Sequence, residues 1–303
     1  MPAPIGPVAA GWMGLILLGY LVGVITGLFG IGGGFLLTPS LKIIFNIAYP
    51  AAIGSSLLQI FCTSVLAAYK HWQNKNLDTK MGAITVTSSL IGTEGGVQLL
   101  RLFNAQGSVA IRGHSILLTD LLVSLCYLLL LIPVAVFMYR EACASNQKGL
   151  SEPDTVLGHA VRKCPWPPFT AFKQSDIPRL SVWMPIMLSV SVGLFTGLLG
   201  VGGGFISFPL LVYALRMPTK TAVGTSTVMV LLASGYGSLR YMQAGNVNFQ
   251  LVLFLLAGSI LGVNTGVKLA GKIGSCHTRK YFSGLMVLAI VLIACDLFKR
   301  LIL

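Results

Sequence analysis

The residues best equipped for chemistry in this sequence are few, and they suit binding better than bond-making. Ser55 and Ser56 follow Gly54, and 170 residues later Thr225 and Ser226 follow Gly224 in the same order. A hydroxyl in such a place donates to an oxyanion without adding a fixed charge that would trap it. Its ordinary alternative is a bond back to a carbonyl of its own helix. Gln59, one turn beyond Ser55, adds a carboxamide. The glycine triplets Gly32, Gly33, Gly34 and Gly202, Gly203, Gly204 lie in "GLFGIGGGFLLTP" and "GLLGVGGGFISFP". A helix that begins straight after such a break has unpaired N–H groups and about half a positive charge at its N-terminus. Backbone of that kind binds anions. Close helix packing is the competing use of glycine in an apolar segment. Three in a row fit it poorly, since each costs about 1 kcal/mol of helix propensity.

Charged residues add three candidates. Glu94, in "LIGTEGGVQLL", is the one acid deep in an apolar run, where a carboxylate is expensive and suited to carrying a coupling proton. Arg101, two turns on, is the cation placed to neutralise it. Lys70 and Arg240 end their apolar runs, either as an electropositive approach for an anion or as side chains reaching back to the interface. Asp120 and Asp296 lie nearer run ends and read as interfacial.

Catalytic chemistry has little to stand on. His71, His114, His159 and His277 fall in or near loops, and no nucleophile–base set is visible in the apolar runs. The six cysteines form no C-x-x-C pair and no His lies at metal spacing from them; Cys62, Cys126 and Cys295 read as packing residues. No G-K-[ST] follows the glycines, so they are not a nucleotide loop. We expect no catalytic residues, no metal, no cofactor and no enzymatic activity.

The elements that must position these groups follow from composition. Of 303 residues 55% are hydrophobic and only 10% charged, against about 25% charged in soluble domains. That excludes a water-soluble globule and predicts an integral membrane protein. The net charge of +13 sits mostly in short loops between apolar runs, which argues against nucleic acid. Runs long enough to span lie at 51–69, 81–100, 115–138, 221–239, 249–270 and 280–298, with two longer glycine-broken regions at 11–47 and 183–215. The polar, proline-bearing stretch 139–182 reads as an extramembrane linker. The runs lack alternation, so strands are not expected. The N-terminus has no basic n-region, so no cleaved signal peptide is expected.

The chain repeats itself. Residues 27–100 match 197–270 at 20 of 74 positions without a gap. Glycines, Pro39 with Pro209, Asn76 with Asn246, and the cations Lys70 and Arg240 fall in register, which shared apolarity does not explain. If each broken region crosses once, Lys and Arg divide 12 to 9 between the two sides; if each enters and returns, they divide 15 to 6. The second arrangement obeys the positive-inside rule and makes the halves inverted. The expected fold is an all-α polytopic membrane protein of two inverted structural repeats. Each repeat has a glycine-broken re-entrant helical segment plus about three spanning helices. The division is 1–138 first membrane repeat, 139–182 cytoplasmic linker, 183–303 second repeat, with both termini outside.

Together the two glycine motifs, each followed by A-x-G-[ST]-S (Ala52–Ser56, Ala222–Ser226), and the later G-x-x-x-G pairs (Gly92–Gly96, Gly262–Gly266) resemble the sulfite exporter family, TauE/SafE-like, also called the toluene sulfonate uptake permease family. The resemblance covers about 11–138 and 183–298; the long linker departs from the family's compact form. It implies a multi-pass cell-membrane transporter of a small anion, an exporter of sulfite or an organosulfonate. The expected partners are that anion and the lipid bilayer, not nucleic acid, with a homo-oligomer left open. Two alternatives stay open: a membrane-embedded redox or enzymatic protein, and a transporter of a non-sulfur organic anion.

Overall fold

The computed structural model describes residues 8–73, 78–105, 108–111, 114–148, 166–172, 175, 177–270 and 275–302. Within them the chain is almost wholly helical. Helix α1 (Val8–Phe29) stops where Gly30, Gly32 and Gly33 turn left-handed, and the short α2 (Gly34–Ile43) starts at once. Only glycine adopts such a run of positive φ without strain. A Cβ at Gly33 would lie 2.7 Å from Val22 Cγ1, and one at Gly14 would lie 3.3 Å from the Phe45 ring. The chain therefore folds back along α1, as the length of the second arm requires: ten residues make about 15 Å of helix.

Then come α3 (Tyr49–Gln73), α4 (Thr79–Ala105), the hairpin β1 (Ser108–Ile111) and β2 (His114–Leu117), and α5 (Leu118–Lys148). A second hairpin, β3 (Phe169–Phe172) and β4 (Ile177–Ser181), precedes the second copy. There α6 (Trp183–Leu199) breaks at Gly200, Gly202 and Gly203 and α7 (Gly204–Pro209) follows. Proline has no N–H and clashes with the carbonyl four residues back; after Pro209 the ladder widens into a π turn, Leu210–Ala214. The chain ends with α8 (Thr219–Gln243), α9 (Phe249–Ala270) and α10 (Ser275–Ile302). Among the described residues six helices are long and apolar enough to cross a membrane, in α1, α3, α5, α8, α9 and α10. The protein is an all-α polytopic membrane protein.

The contacts come in pairs displaced by 170 residues. Helix α1 lies along α9, with Gly23 against Ser259 and Gly27 against Val263; α6 lies along α4, with Gly193 against Ser89 and Gly197 against Thr93. A Cβ at any of these four glycines would fall 2.0 to 2.5 Å from a carbonyl oxygen. The glycines of the G-x-x-x-G pairs are used the same way, so that set serves close approach of backbones. Helices α3 and α8, the corresponding helices of the two copies, run side by side in opposite directions. Ser55 near the start of α3 accepts from the Asn248 N–H just past α8, at 3.0 Å, and Thr225 near the start of α8 accepts from the Asp78 N–H just past α3, at 3.3 Å.

Two features differ from the sequence expectation. Short antiparallel strands do form, in the loops and not in the spans. Composition also places the linker from 139, but α5 continues to Lys148, and part of the stretch is folded: Phe172, Ile177 and Leu180 of β3–β4 are buried. Lys80 donates to the Ala171 carbonyl at 3.3 Å and Ser175 donates to Asp78, which ties the hairpin to the start of α4. A three-residue apolar set in a polar, proline-rich stretch is too sparse to register as periodicity. Residues 149–165 of that linker lie outside the described residues, as do the matched Asn76 and the cation Lys75.

Candidate functional site

The two glycine tips meet inside the protein. A Cβ at Gly34 would lie 2.6 Å from the Val201 carbonyl oxygen, and one at Gly204 would lie 2.3 Å from Ile31 Cα. Ile60 and Val230, which correspond to each other in the two copies, flank the junction: each comes within 3.3 Å of the Cβ positions of both Gly32 and Gly202. All these residues are buried. Among the described residues, no hydrogen bond occupies the N–H groups of 31–35 or of 201–205. The site thus holds two helix beginnings, α2 and the run Gly204–Ala214, with their first donors free.

Each tip is held by hydroxyls of the opposite copy. Thr38 Oγ1 lies 3.2 Å from the Gly200 carbonyl and 3.0 Å from Ser56 Oγ. Ser226 and Thr227 each donate to the Gly30 carbonyl at 3.3 Å. The predicted hydroxyls are therefore brought to the site, with their bonds already directed. Ser56 bonds back to Ala52 O at 2.6 Å and Ser226 also to Val223 O at 3.0 Å, the local alternative foreseen for them. Ser55 and Thr225 accept from the starts of α9 and α4 and stand at the two ends of the α3–α8 pair. Gln59 is wholly buried, and neither its amide nitrogen nor its oxygen has a partner among the described residues. Buried polar groups are otherwise almost always bonded.

The charged candidates sort differently from the sequence reading. Glu94 is neutralised by Arg240, not by Arg101: Arg240 Nη2 and Nε reach its two oxygens at 2.6 and 2.7 Å, and Tyr236 and Gln98 donate to it at 2.9 Å each. The tertiary fold brings α8 alongside α4, which a helical-wheel argument along α4 alone does not see. Lys70 hydrogen-bonds Asn264. Those two residues correspond to Arg240 and Glu94, so one cross-copy pair is ionic and the other neutral on one side. Arg101 is exposed and lines a shallow crevice with Asn104, Arg240 and Asn246.

Asp120 stands in the first turn of α5, at the start of its span. It is buried and paired with Lys42 at 2.6 Å, and Lys42 also lies 5.2 Å above the Tyr49 ring. This pair joins the last turn of α2 to the first turn of α5, where each charge complements its helix end. His71 belongs to the last turn of α3, beside a loop, and it too is buried.

Sequence reasoning missed Thr38, although it belongs to a repeated segment, and it missed Ile60 and Val230, whose only signal is that they correspond. Tyr127 and Tyr241 were also invisible; their hydroxyls satisfy the Leu199 and Gly197 carbonyls at the end of α6, at 2.6 and 2.8 Å. No group of three metal-ligating side chains occurs among the described residues.

Comparison with known proteins agrees with this geometry. Residues 15–293 match the family described as Sulfite exporter TauE/SafE. The chain is 27% identical over 294 residues to the Probable membrane transporter protein YunE of Bacillus subtilis, covering 93% of this chain and 96% of that one. It is 26% identical to the Probable membrane transporter protein MJ0441 of Methanocaldococcus jannaschii (90% and 91% covered) and 25% identical to YdhB of Bacillus subtilis (84% and 88% covered), also named a probable membrane transporter. No solved structure matches. A family match across nearly the whole chain, joined to six membrane-capable helices and duplicated glycine breaks, makes the protein a multi-pass membrane transporter that belongs to the sulfite exporter TauE/SafE family.

Proposed function

We propose that the protein is a secondary transporter of a small anion, exporting sulfite or an organosulfonate across the cytoplasmic membrane. The observation that carries this reading is the junction of the two tips: among the described residues, the ten backbone N–H groups of 31–35 and 201–205 have no hydrogen-bond partner inside a membrane protein. Irregular backbone at membrane depth belongs where it lines a substrate site, and helix N-termini favour anions. Gln59, with both polar atoms unbonded, supplies a further donor. Ser56 and Ser226 frame the site, and Ser55 and Thr225 stand at the ends of the α3–α8 pair beside it. In this conformation the tips touch, so substrate binding requires the two halves to part.

The antiparallel α3 and α8 favour inverted repeats, with the linker on the cytoplasmic, cation-rich side. Rocking of one repeat against the other about the tips then exposes the site to each side in turn. Export has a ready drive: each negative charge leaving a negative cytoplasm gains about 2.3 kcal/mol per 100 mV. Proton coupling through Glu94 is an optional part of the scheme. Glu94→Gln tests it: flux driven by a proton gradient falls while flux driven by membrane potential persists.

The main test is flux of labelled sulfite and candidate sulfonates in proteoliposomes at imposed potential. We expect saturable anion movement that accelerates when the substrate-side compartment is made negative. Folded protein that moves none of these anions sinks the reading.

A further inference from the structure

We infer that His71 is a binding station for the transported anion, reached from the glycine tips along one stripe of α3. The inference rests on the anion-transport reading above. Ile60, Ser64, Ala67 and His71 recur at helical spacings of four, three and four, so they share a face. Ile60 begins the stripe at the tips. Ser64 and His71 are buried, and neither the Ser64 hydroxyl nor either ring nitrogen of His71 has a hydrogen-bond partner among the described residues.

The second copy shows what this face does when it is only structural. There the stripe reads Val230, Ser234, Gly237, Tyr241. Ser234 bonds to the Val230 carbonyl at 2.6 Å, and Tyr241 reaches across to the Gly197 carbonyl at the end of α6 at 2.8 Å. Every polar group on that stripe is satisfied. In the first copy the shorter imidazole replaces the phenol and makes no bond to the corresponding carbonyl, that of Gly27. Buried polar groups left open cost stability, and the second copy shows that the fold can close them. Open N–H and O–H groups in file from the tips to a helix end are what a small oxyanion would use.

The charges at that end fit an anion. Lys80 on α4, Lys220 on α8 and Lys268 on α9 are cationic and exposed, and Lys70 on α3 is cationic and half-buried. The acid there, Asp78, accepts from the Met81 N–H at 3.0 Å and from Ser175. Helices α1 and α2, which also touch α3, bring no charge to this end; Lys42 is held at the far end of α2 by Asp120.

The experiment is labelled-sulfite flux by the full chain in proteoliposomes, with thermal unfolding measured alongside. His71→Leu removes an unpartnered polar group, so it should leave Tm unchanged or raised. It should nevertheless raise KM for sulfite about tenfold, the scale of one hydrogen bond to a charged ligand, with kcat little changed. His71→Gln, which keeps an N–H donor, should restore most of the affinity. A purely structural histidine predicts wild-type KM in His71→Leu, and that result overturns the proposal. If His71→Leu does not fold, Ser64→Ala serves instead: an unchanged KM there overturns it. If wild-type protein moves neither sulfite nor sulfonates, it is the transport reading that fails. The station is then judged by sulfate-dependent thermal stabilisation, which must be present in wild type and lost in His71→Leu; anything else overturns it.

Discussion

At the residue scale, the tip glycines divide into those bound by backbone conformation and those bound by space. Gly33 and Gly203 are bound by both: φ is +64° and +75°, and a Cβ at Gly203 would lie 2.4 Å from Thr196 Oγ1. Gly203→Ala should therefore cost about 1–2 kcal/mol for the left-handed backbone alone, with the clash in addition. Thermal unfolding of the purified variant should show a clear loss, so bulk at this position impairs folding together with function. Lys42 and Asp120 give a second residue-scale prediction. The position in the second copy that corresponds to Lys42 holds a buried Val212, so the arm does not need a charge to fold. Breaking a buried pair strands the remaining charge, at about 3–5 kcal/mol. Lys42→Met should destabilise on that scale, and Lys42→Met with Asp120→Leu should recover most of the loss in a double-mutant cycle.

At the element scale, adjacent glycines on α4 have opposite fates. Gly95 faces open space, whereas a Cβ at Gly96 would lie 2.1 Å from the Leu194 carbonyl oxygen of α6. Gly95→Ala should stabilise by up to about 1 kcal/mol through helix propensity. Gly96→Ala should instead drive α4 and α6 apart, lower Tm and reduce the yield of folded protein. The β3–β4 hairpin is the other element with a checkable attachment. Ser175→Ala removes its bond to Asp78, so amide exchange in 169–181 should quicken while exchange in α8 and α9 stays at the wild-type rate.

At the scale of the whole molecule, inverted repeats require that corresponding loops face opposite sides. Single cysteines at Asn46 and Arg216, in an otherwise cysteine-free chain, should react with a membrane-impermeant thiol reagent from opposite faces. Both loops carry a left-handed residue at that point, φ +53° at Asn46 and +56° at Arg216, so each should tolerate the change to a similar degree. Labelling from one face only would exclude the inverted arrangement and leave the anion site without its paired N-termini.

The amino-acid sequence by itself determined the solvent of this protein, its helices and its duplication. Each is a property of local composition or of matching at a fixed offset: apolar runs must be long enough to cross hydrocarbon, and closely spaced Gly30, Gly32, Gly33 and Gly34 weaken the helix there by about 1 kcal/mol each. The glycine tips, Ser56, Ser226 and Gln59 were legible for the same reason, since the repeat marked their segments twice or the apolar run made a polar residue conspicuous. Only the tertiary structure decided which groups face one another. It gave Glu94 to Arg240 across 146 positions, Asp120 to Lys42, and the Gly200 carbonyl to Thr38, and it left Gln59, Ser64 and His71 buried with no partner for their polar side-chain atoms among the described residues. Those outcomes depend on how α3 and α8 lie against each other and against α4, and helix-to-helix contact has no signature along a single chain. That is the physical reason the site could be outlined from sequence, while its partners and its open donors could not.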